Sequence, residues 1–141
     1  MNQQQLLLAA LASGSHDDFS PVQLQKLMFL IDRNIGPAIG GPFFKFAPYD
    51  YGPFDVGVYH AFGALEMMGL AESFGSGKER RYRVNESGRA MAVDVLNRIH
   101  PEYSKYIAEV AHFVQRLSFT ALVSSIYKSY PEMKVNSVFR G

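Results

Sequence analysis

Residues 65–88 read LEMMGLAESFGSGKERRYRVNESG, and this stretch decides the fold because its pattern changes from helix to hairpin to helix. Gly69 predicts the end of the helix that opens this stretch, since glycine readily adopts the left-handed conformation that closes helices. The segments 71–74 and 80–84 flank Gly75-Ser76-Gly77, whose glycines permit the positive φ of a tight loop. A helix followed by a two-stranded hairpin and a further helix is typical of a winged-helix domain, and the hairpin is the candidate wing.

Two helices are predicted before this stretch. The first covers residues 3–12 and ends at Ser13-Gly14, where glycine could take the left-handed conformation. The second starts at Ser20-Pro21-Val22-Gln23, which has a serine cap, proline at the first helical position and glutamine at the third. It ends near residues 34–36, and its buried stripe follows the i, i+3, i+4, i+7 spacing of Leu24, Leu27, Met28 and Ile31.

The remaining elements follow from local signals. Glycine and proline interrupt residues 36–53, where only Phe43 to Phe46 resembles a strand. A third helix is predicted from Pro53 through Gly69, with Phe54, Val58, Phe62 and Leu65 on its buried face. Downstream helices are predicted from the Asn85 cap to Ile99, from Pro101 onward, and from the Ser118 cap through Tyr130.

The length and composition fit one domain. The chain has 141 residues, of which 48% are hydrophobic, and this is enough for one sizeable core. We expect a single winged-helix-like domain over residues 1–141, with its core at about 3–130 and a tail at 131–141. The predicted fold class is mainly α with a small β-hairpin, in which additional C-terminal helices follow the winged-helix core.

Charge and cysteine content indicate the cellular location to expect for the protein. The net charge is +1 and cysteine is absent, which excludes disulfides and thiol chemistry and favours a cytoplasmic location. The apolar run from Leu6 to Ala12 is far shorter than the ~20 residues of a membrane span. It also lacks the basic segment that precedes the apolar part of a signal peptide. We therefore expect no membrane association.

Two motifs carry a family resemblance. Leu24-Gln25-Lys26-Leu27, read together with Pro48-Tyr49-Asp50-Tyr51-Gly52-Pro53-Phe54, resembles the Panacea (SocA-like) antitoxin domains and the related YwgA-like bacterial proteins. The resemblance covers roughly residues 3–130, and the second motif is nearer to the YwgA-like branch, for which no role is assigned. It implies a bacterial, winged-helix-like helical domain, often encoded beside a toxin and acting by protein contact. It supplies no catalytic residues.

The third helix lacks the chemistry of a DNA-reading helix. Between Phe54 and Gly69 there is no Lys or Arg, and its polar side chains are Asp55, Tyr59, His60 and Glu66. Base readout usually draws on Arg, Lys, Asn or Gln, and phosphates repel carboxylates. The sequence therefore disfavours specific DNA recognition by this helix.

The candidate wing holds the basic residues. Lys78, Arg80, Arg81 and Arg83 could contact phosphates or enter a minor groove, and they are the candidate nucleic-acid-binding residues. The alternative is solvation, because charge protects exposed strand edges from aggregation. Strand alternation predicts Arg81 and Arg83 on one face and Arg80 on the other.

The candidate protein-binding residues lie in an aromatic loop, residues 48–54, that is stiffened by two prolines. They are Tyr49, Asp50, Tyr51, Pro53 and Phe54. Tyrosines on a stiff loop offer a large contact area at low entropic cost, as at protein interfaces. The alternative is structural, with Tyr49, Tyr51 and Phe54 covering the gap between the second and third helices.

No constellation of residues predicts catalysis. The four histidines share no ligand spacing, and neither a glycine-rich phosphate loop nor a paired-carboxylate motif is present, so no cofactor or metal is expected. The predicted function is a protein-interaction module of antitoxin type, for which a toxin encoded nearby is a candidate partner. The alternatives are a DNA-binding regulator that acts through the wing as a homodimer and, more remotely, an enzyme.

Overall fold

The computed structural model describes residues 1–15 and 18–140, which form six α-helices and two short antiparallel hairpins. The predicted fold class, mainly α with a small β-hairpin, is confirmed. Short 3-10 turns lie at Gly36–Ile39, Gly77–Glu79 and Pro131–Lys134. The elements are α1 (Gln3–Ala12), α2 (Pro21–Ile35), β1 (Ala47–Tyr49), β2 (Gly52–Phe54), α3 (Val56–Met67), β3 (Ala71–Phe74), β4 (Arg81–Val84), α4 (Glu86–Asn97), α5 (Pro101–Arg116) and α6 (Phe119–Ser129).

Helix α1 is the centre of the core. Its residues from Leu6 to Leu11 are all buried, and the helix packs against α3, α4 and α5. A helix that is apolar on all sides has no solvent face, so it must be covered by other elements. The order α1, α2, α3, β3, β4, α4 matches the order predicted for a winged-helix core, and α5 and α6 add further cover.

The predicted start of α2 is confirmed in detail. The amide of Gln23 donates to Ser20 Oγ at 3.2 Å, and the amide of Ser20 donates to Gln23 Oε1 at 2.8 Å. This reciprocal cap satisfies two amides that the first helical turn leaves unpaired. The predicted stripe of Leu24, Leu27, Met28 and Ile31 is completely buried.

The wing, residues 71–84, forms a hairpin as predicted, but its second strand begins at Arg81 and not at Arg80, because the connection continues through the 3-10 turn Gly77–Glu79. Its two strands pair with Ala71 opposite Val84 and Phe74 opposite Arg81. Gly69, Gly75 and Gly77 all have positive φ. Phe19, from the connection between α1 and α2, exchanges main-chain hydrogen bonds of 2.9 and 3.0 Å with Tyr82 and so extends the wing sheet by one bridge.

The strand predicted at Phe43 to Phe46 is wrong. The amides of Phe43 and Phe44 donate to the two carboxylate oxygens of Asp32, at 2.8 and 3.0 Å. The amide of Lys45 donates to Asp55 Oδ2 at 2.7 Å. These backbone groups are paired with side chains instead of a neighbouring strand, and the observed strand β1 begins at Ala47.

Two predictions about helix ends are also wrong. Helix α3 begins at Val56 and not at Pro53, because Pro53 and Phe54 pair with β1 and Asp55 caps the helix by accepting from the amide of Gly57. Phe54 therefore belongs to β2 and not to the buried stripe of α3. Helix α1 ends where predicted, but Gly14 is not left-handed; a β-carbon there would collide with Gln115 and Phe19.

The segment predicted as a tail is packed against the domain. Met133 is buried and belongs to the hydrophobic core. The amide of Val138 donates to the carbonyl of Asp50 at 2.9 Å, which fixes the segment beside the first hairpin. The core therefore includes residues beyond 130.

Candidate protein-binding site

The aromatic hairpin, residues 47–54, carries the predicted protein-binding residues. Its strands pair with Pro48 opposite Pro53 and Tyr49 opposite Gly52, and Asp50 and Tyr51 form the turn. Gly52 has a φ of 106°, which favours glycine at this position. Tyr49 and Tyr51 are 54% and 41% exposed. Their rings are therefore open to a partner.

Buried polar side chains of α2 hold the base of this hairpin. Gln25 Nε2 donates to the carbonyl of Asp55, and Gln25 Oε1 accepts from the amide of Asp55, both at 3.0 Å. One amide side chain thereby satisfies both main-chain groups of a residue, as a neighbouring strand would. Lys26 Nζ donates to the carbonyl of Pro53 at 3.4 Å. Together with Asp32, which binds the amides before β1, these residues form what we call the α2 clamp.

Two polar groups beneath the hairpin are poorly satisfied. Lys26 is 3% exposed, and burial lowers the pKa of its ammonium group to about 7. The hydroxyl of Tyr127 is buried and has no hydrogen-bond partner among the described residues. A β-carbon at position 52 would lie 3.4 Å from Tyr127 Cε1 and 3.5 Å from Lys26 Cε. Gly52 therefore packs close to both side chains.

A row of rings joins the aromatic hairpin to the wing. Tyr49 lies 5.0 Å from Phe54, Phe54 lies 5.9 Å from Tyr59, and Tyr59 stacks on Tyr82 at 5.7 Å between ring centroids. Burial raises the pKa of the Tyr59 hydroxyl and that of the Tyr82 hydroxyl. Phe54 is accordingly half-buried in packing, as the structural alternative predicted, while Tyr49 ends the row at the surface.

Two of the wing arginines have partners within the wing and α3. Arg83 Nε bonds Glu72 Oε1 at 2.8 Å, and its guanidinium lies 5.0 Å from the centre of the Phe74 ring. Arg80 donates to Ser73 Oγ at 2.8 Å, and this serine in turn donates to Glu66. Arg81 donates to carbonyls of its own loop, and Lys78 is exposed. Fewer positive charges of the wing are therefore free of internal partners than the sequence indicates.

The wing groove is a cavity of about 680 Å³ between the wing, the start of α2 and the start of α6. It brings Tyr51 of the aromatic hairpin together with Lys78 and Arg81 of the wing. The groove is not lined by five other residues of the two sequence-predicted sites: Tyr49, Pro53, Phe54, Arg80 and Arg83. Its other lining residues are Asp18, Ser20, Pro21, Val22, Gln23, Glu79, Gln115, Leu117, Phe119 and Leu122.

The predicted protein-binding residues therefore differ in availability. Tyr49 and Tyr51 are exposed, whereas Pro53 is buried and cannot be a contact surface. The carbonyl of Asp50 is used by the C-terminal segment. The sequence analysis does not predict the α2 clamp, because its residues bond main-chain groups that lie 11 to 30 positions away along the chain. The two resembling motifs carry a signal for it, since Lys26 of the first bonds Pro53 of the second and Gln25 bonds Asp55, which directly follows the second.

No protein-family model matches the sequence, and the comparison with curated proteins finds no match. The likeness to antitoxin domains stays a prediction. Within residues 1–15 and 18–140, no three His, Asp or Glu side chains are grouped to hold a metal ion, and His16 lies outside that range. None of the helices in this range combines the length and apolar character needed to cross a membrane.

Proposed function

We propose that this protein is a non-catalytic protein-binding module that holds a segment of a partner protein in the wing groove. The observation that carries the proposal is the placement of Tyr51, Lys78 and Arg81 around one cavity. The two sequence-predicted sites, one aromatic and one basic, contribute to the same surface. A partner segment could therefore meet both at once.

The aromatic side of the groove has the character of an interface anchor. The ring of Tyr51 lies edge-on to Phe119 at 5.1 Å, and Phe119 is itself 46% exposed. The α2 clamp holds the hairpin below Tyr51, so little backbone freedom remains to be lost on binding. Rigid tyrosines are favoured at interfaces for this reason.

The charges around the groove favour a protein over a nucleic acid. Lys78 and Arg81 are accompanied by Asp18 and Glu79, so both signs are present. A phosphate backbone is neutralised best by a uniformly basic surface. A protein segment can offer complementary charges of both signs around an apolar centre.

The resemblance to antitoxin domains supplies a candidate for the partner. We propose a toxin encoded beside this protein, met in the cytoplasm, as the first protein to test. The cytoplasmic location rests on the cysteine-free composition.

Site-specific photocrosslinking in a native lysate tests the groove. A photoreactive phenylalanine analogue replaces Tyr51, and a matched control places it at Phe74, a ring of similar exposure at 45% that does not line the groove. We expect a discrete protein adduct from position 51 that position 74 does not give. The absence of any adduct at position 51, or the same adduct at both positions, would contradict the proposal.

DNA binding through the wing remains the second candidate, because Lys78 is exposed and lies close to Arg81 on the wing loop. The test is fluorescence anisotropy with a mixed-sequence duplex at low salt, where phosphate contacts are strongest. We expect no saturable binding. Binding that weakens strongly in the Lys78→Ala/Arg81→Ala variant but not in Arg83→Ala would favour the DNA candidate instead.

A further inference from the structure

The C-terminal strap, residues 135–140, crosses the turn of the aromatic hairpin without forming a helix or strand. Asn136 Nδ2 donates to the carbonyl of Pro48 at 3.3 Å. The amide of Val138 and the hydroxyl of Ser137 donate to the carbonyl of Asp50, at 2.9 and 3.3 Å. These bonds all end on main-chain carbonyls of the hairpin. Two of the three donors are side chains of the strap, and the third is the main-chain amide of Val138.

One aromatic side chain anchors the strap. The ring of Phe139 lies 6.1 Å from Phe119 and 6.1 Å from Tyr127. Phe119 also contacts Tyr51 in the wing groove. The strap and the groove therefore share one ring, and departure of Phe139 would expose more of that ring next to the groove.

The rest of the strap is weakly attached. Val135 and Val138 are 75% and 52% exposed, and Asn136 and Arg140 are exposed as well. A segment with few buried apolar contacts opens locally at a small fraction of the free energy of global unfolding. An extended peptide that pairs with main-chain groups and inserts one side chain is a common mode of recognition.

We propose that the surface under the strap is a docking site for a short, non-helical partner peptide with one aromatic anchor, and that the strap is its built-in occupant. The site consists of the carbonyls of Pro48 and Asp50 and the rings of Phe119 and Tyr127. This inference rests on the proposed function and names the class of partner segment: it has an aromatic side chain directly after the residue whose amide reaches Asp50. Binding of such a segment displaces the strap and places the partner beside the wing groove.

The test supplies the strap as a separate peptide. In the full chain, Val138→Pro removes the donor to Asp50 and Phe139→Ala removes the anchor, so the double variant has an empty site. The probe is a fluorescein-labelled peptide with the sequence of residues 135–141, and its control carries alanine in place of the phenylalanine. We expect the probe to bind the double variant at least about tenfold more tightly than the native chain, and the control peptide to bind about tenfold more weakly than the probe. Equal or absent binding to a double variant with a native circular dichroism spectrum would overturn the proposal.

A second measurement needs no variant. In the native chain, amide hydrogen exchange at Val138 should be at least about 100-fold faster than at the central amides of α2. Equal protection would make the strap a permanent part of the core and would overturn the proposal. So would a native dimer that dissociates in the double variant, because the occupant would then be the strap of a second copy.

The experiments can refute either of the two proposals without refuting the other. The Lys78→Ala/Arg81→Ala variant changes the wing side of the groove and should leave binding of the probe to the double variant unchanged, because the strap bonds the aromatic hairpin and packs on α6. If the probe does not bind while position 51 still crosslinks to a protein, the docking site under the strap is refuted and the groove stands. If the probe binds and position 51 gives no adduct, the strap site stands and the groove is refuted.

Discussion

The two hairpins of this molecule are stabilised in opposite ways. The aromatic hairpin rests on buried polar side chains of α2, which bond its backbone and leave the rings of Tyr49 and Tyr51 exposed. The wing bonds its backbone through its own ladder and through Phe19, and two of its arginines, Arg80 and Arg83, bond side chains beside them. In the first hairpin the interior is polar and the surface is available. In the second the interior is apolar and much of the surface charge is already paired.

The two hairpins should therefore respond differently to substitution. Substitutions at the buried base of the aromatic hairpin should change the free energy of unfolding greatly, because buried polar groups have no solvent to replace a lost partner. Substitutions of the paired charges on the wing should change it little, because water replaces the partner. The following variants test that contrast in order of expected effect.

Lys26→Met should have the largest effect, and the effect should depend on pH. Burial lowers the pKa of Lys26 from 10.5 to about 7, so between these values the unfolded chain binds a proton that the native chain does not. Native stability then rises with pH across this window by up to about 1.4 kcal/mol per pH unit. The free-energy cost of burying the charged ammonium group of Lys26 is fully present below pH 7. Loss of the bond to the Pro53 carbonyl opposes the gain from removing the buried charge by about 1 kcal/mol at every pH. With this loss included, we expect the variant to be more stable than the native chain by about 4 kcal/mol at pH 6, with the difference falling toward zero by pH 10.

Urea unfolding at pH 6, 8 and 10 measures this difference, and Lys78→Met is the control. Lys78 lies exposed on the wing loop, so its substitution should give the same small change at every pH. A Lys26→Met variant whose stability relative to the native chain does not vary with pH would show that the ammonium group is well solvated or paired.

Asp32→Ala should destabilise the protein by about 3 kcal/mol. The carboxylate of Asp32 is 3% exposed and accepts from the amides of Phe43 and Phe44, and each such hydrogen bond to a charged group is worth about 1.5 to 3 kcal/mol. Asp94→Ala, at an exposed position of α4, is the control and should change stability by less than about 0.5 kcal/mol. A similar, small change in both variants would mean that these amides find other partners.

The helices of the fold were predictable, whereas the support of the aromatic hairpin was not. The cap at Ser20 and the stop at Gly69 act within one helical turn, so their signals are contiguous in the sequence. Gln25 reaches Asp55 across 30 residues, and Asp32 reaches Phe43 and Phe44 across 11 and 12, and no local pattern encodes such pairings. The strand wrongly predicted at 43–46 has the same cause, since its apolar pattern is real but a distant carboxylate takes its amides.

The candidate site was predictable only in part for the same reason. Tyr51, Lys78 and Arg81 are each predictable from residue type, but their meeting at one groove depends on where α6 and the start of α2 lie. The burial of Pro53 likewise follows from packing between distant segments, whereas Arg80 and Arg83 bond partners within the wing itself.

Tyr127→Phe should be neutral or should stabilise the protein by up to about 1 kcal/mol. Its hydroxyl is buried without a partner among the described residues, so removing it relieves a desolvation cost and breaks no bond. Tyr106→Phe is the matched control, because the Tyr106 hydroxyl accepts from Asn34 Nδ2 at 2.9 Å and its loss should cost about 1 kcal/mol. Thermal and urea unfolding of both variants would settle the sign. A loss of stability in Tyr127→Phe as large as in Tyr106→Phe would indicate that an ordered water bonds the Tyr127 hydroxyl.

Glu72→Gln, on the wing, should have the smallest effect, below about 0.5 kcal/mol. The pair of Glu72 and Arg83 is short at 2.8 Å, but the two side chains are 53% and 41% exposed, so water compensates for most of the lost attraction. The residual effect should vanish in about 1 M salt, where screening acts over ~3 Å, whereas the cost of Asp32→Ala should persist because its buried carboxylate is shielded from ions. Urea unfolding at low and high salt measures both. A salt-independent cost in Glu72→Gln would mean that the wing, like the aromatic hairpin, depends on a polar contact that solvent cannot replace, and the contrast between the two hairpins would then fail.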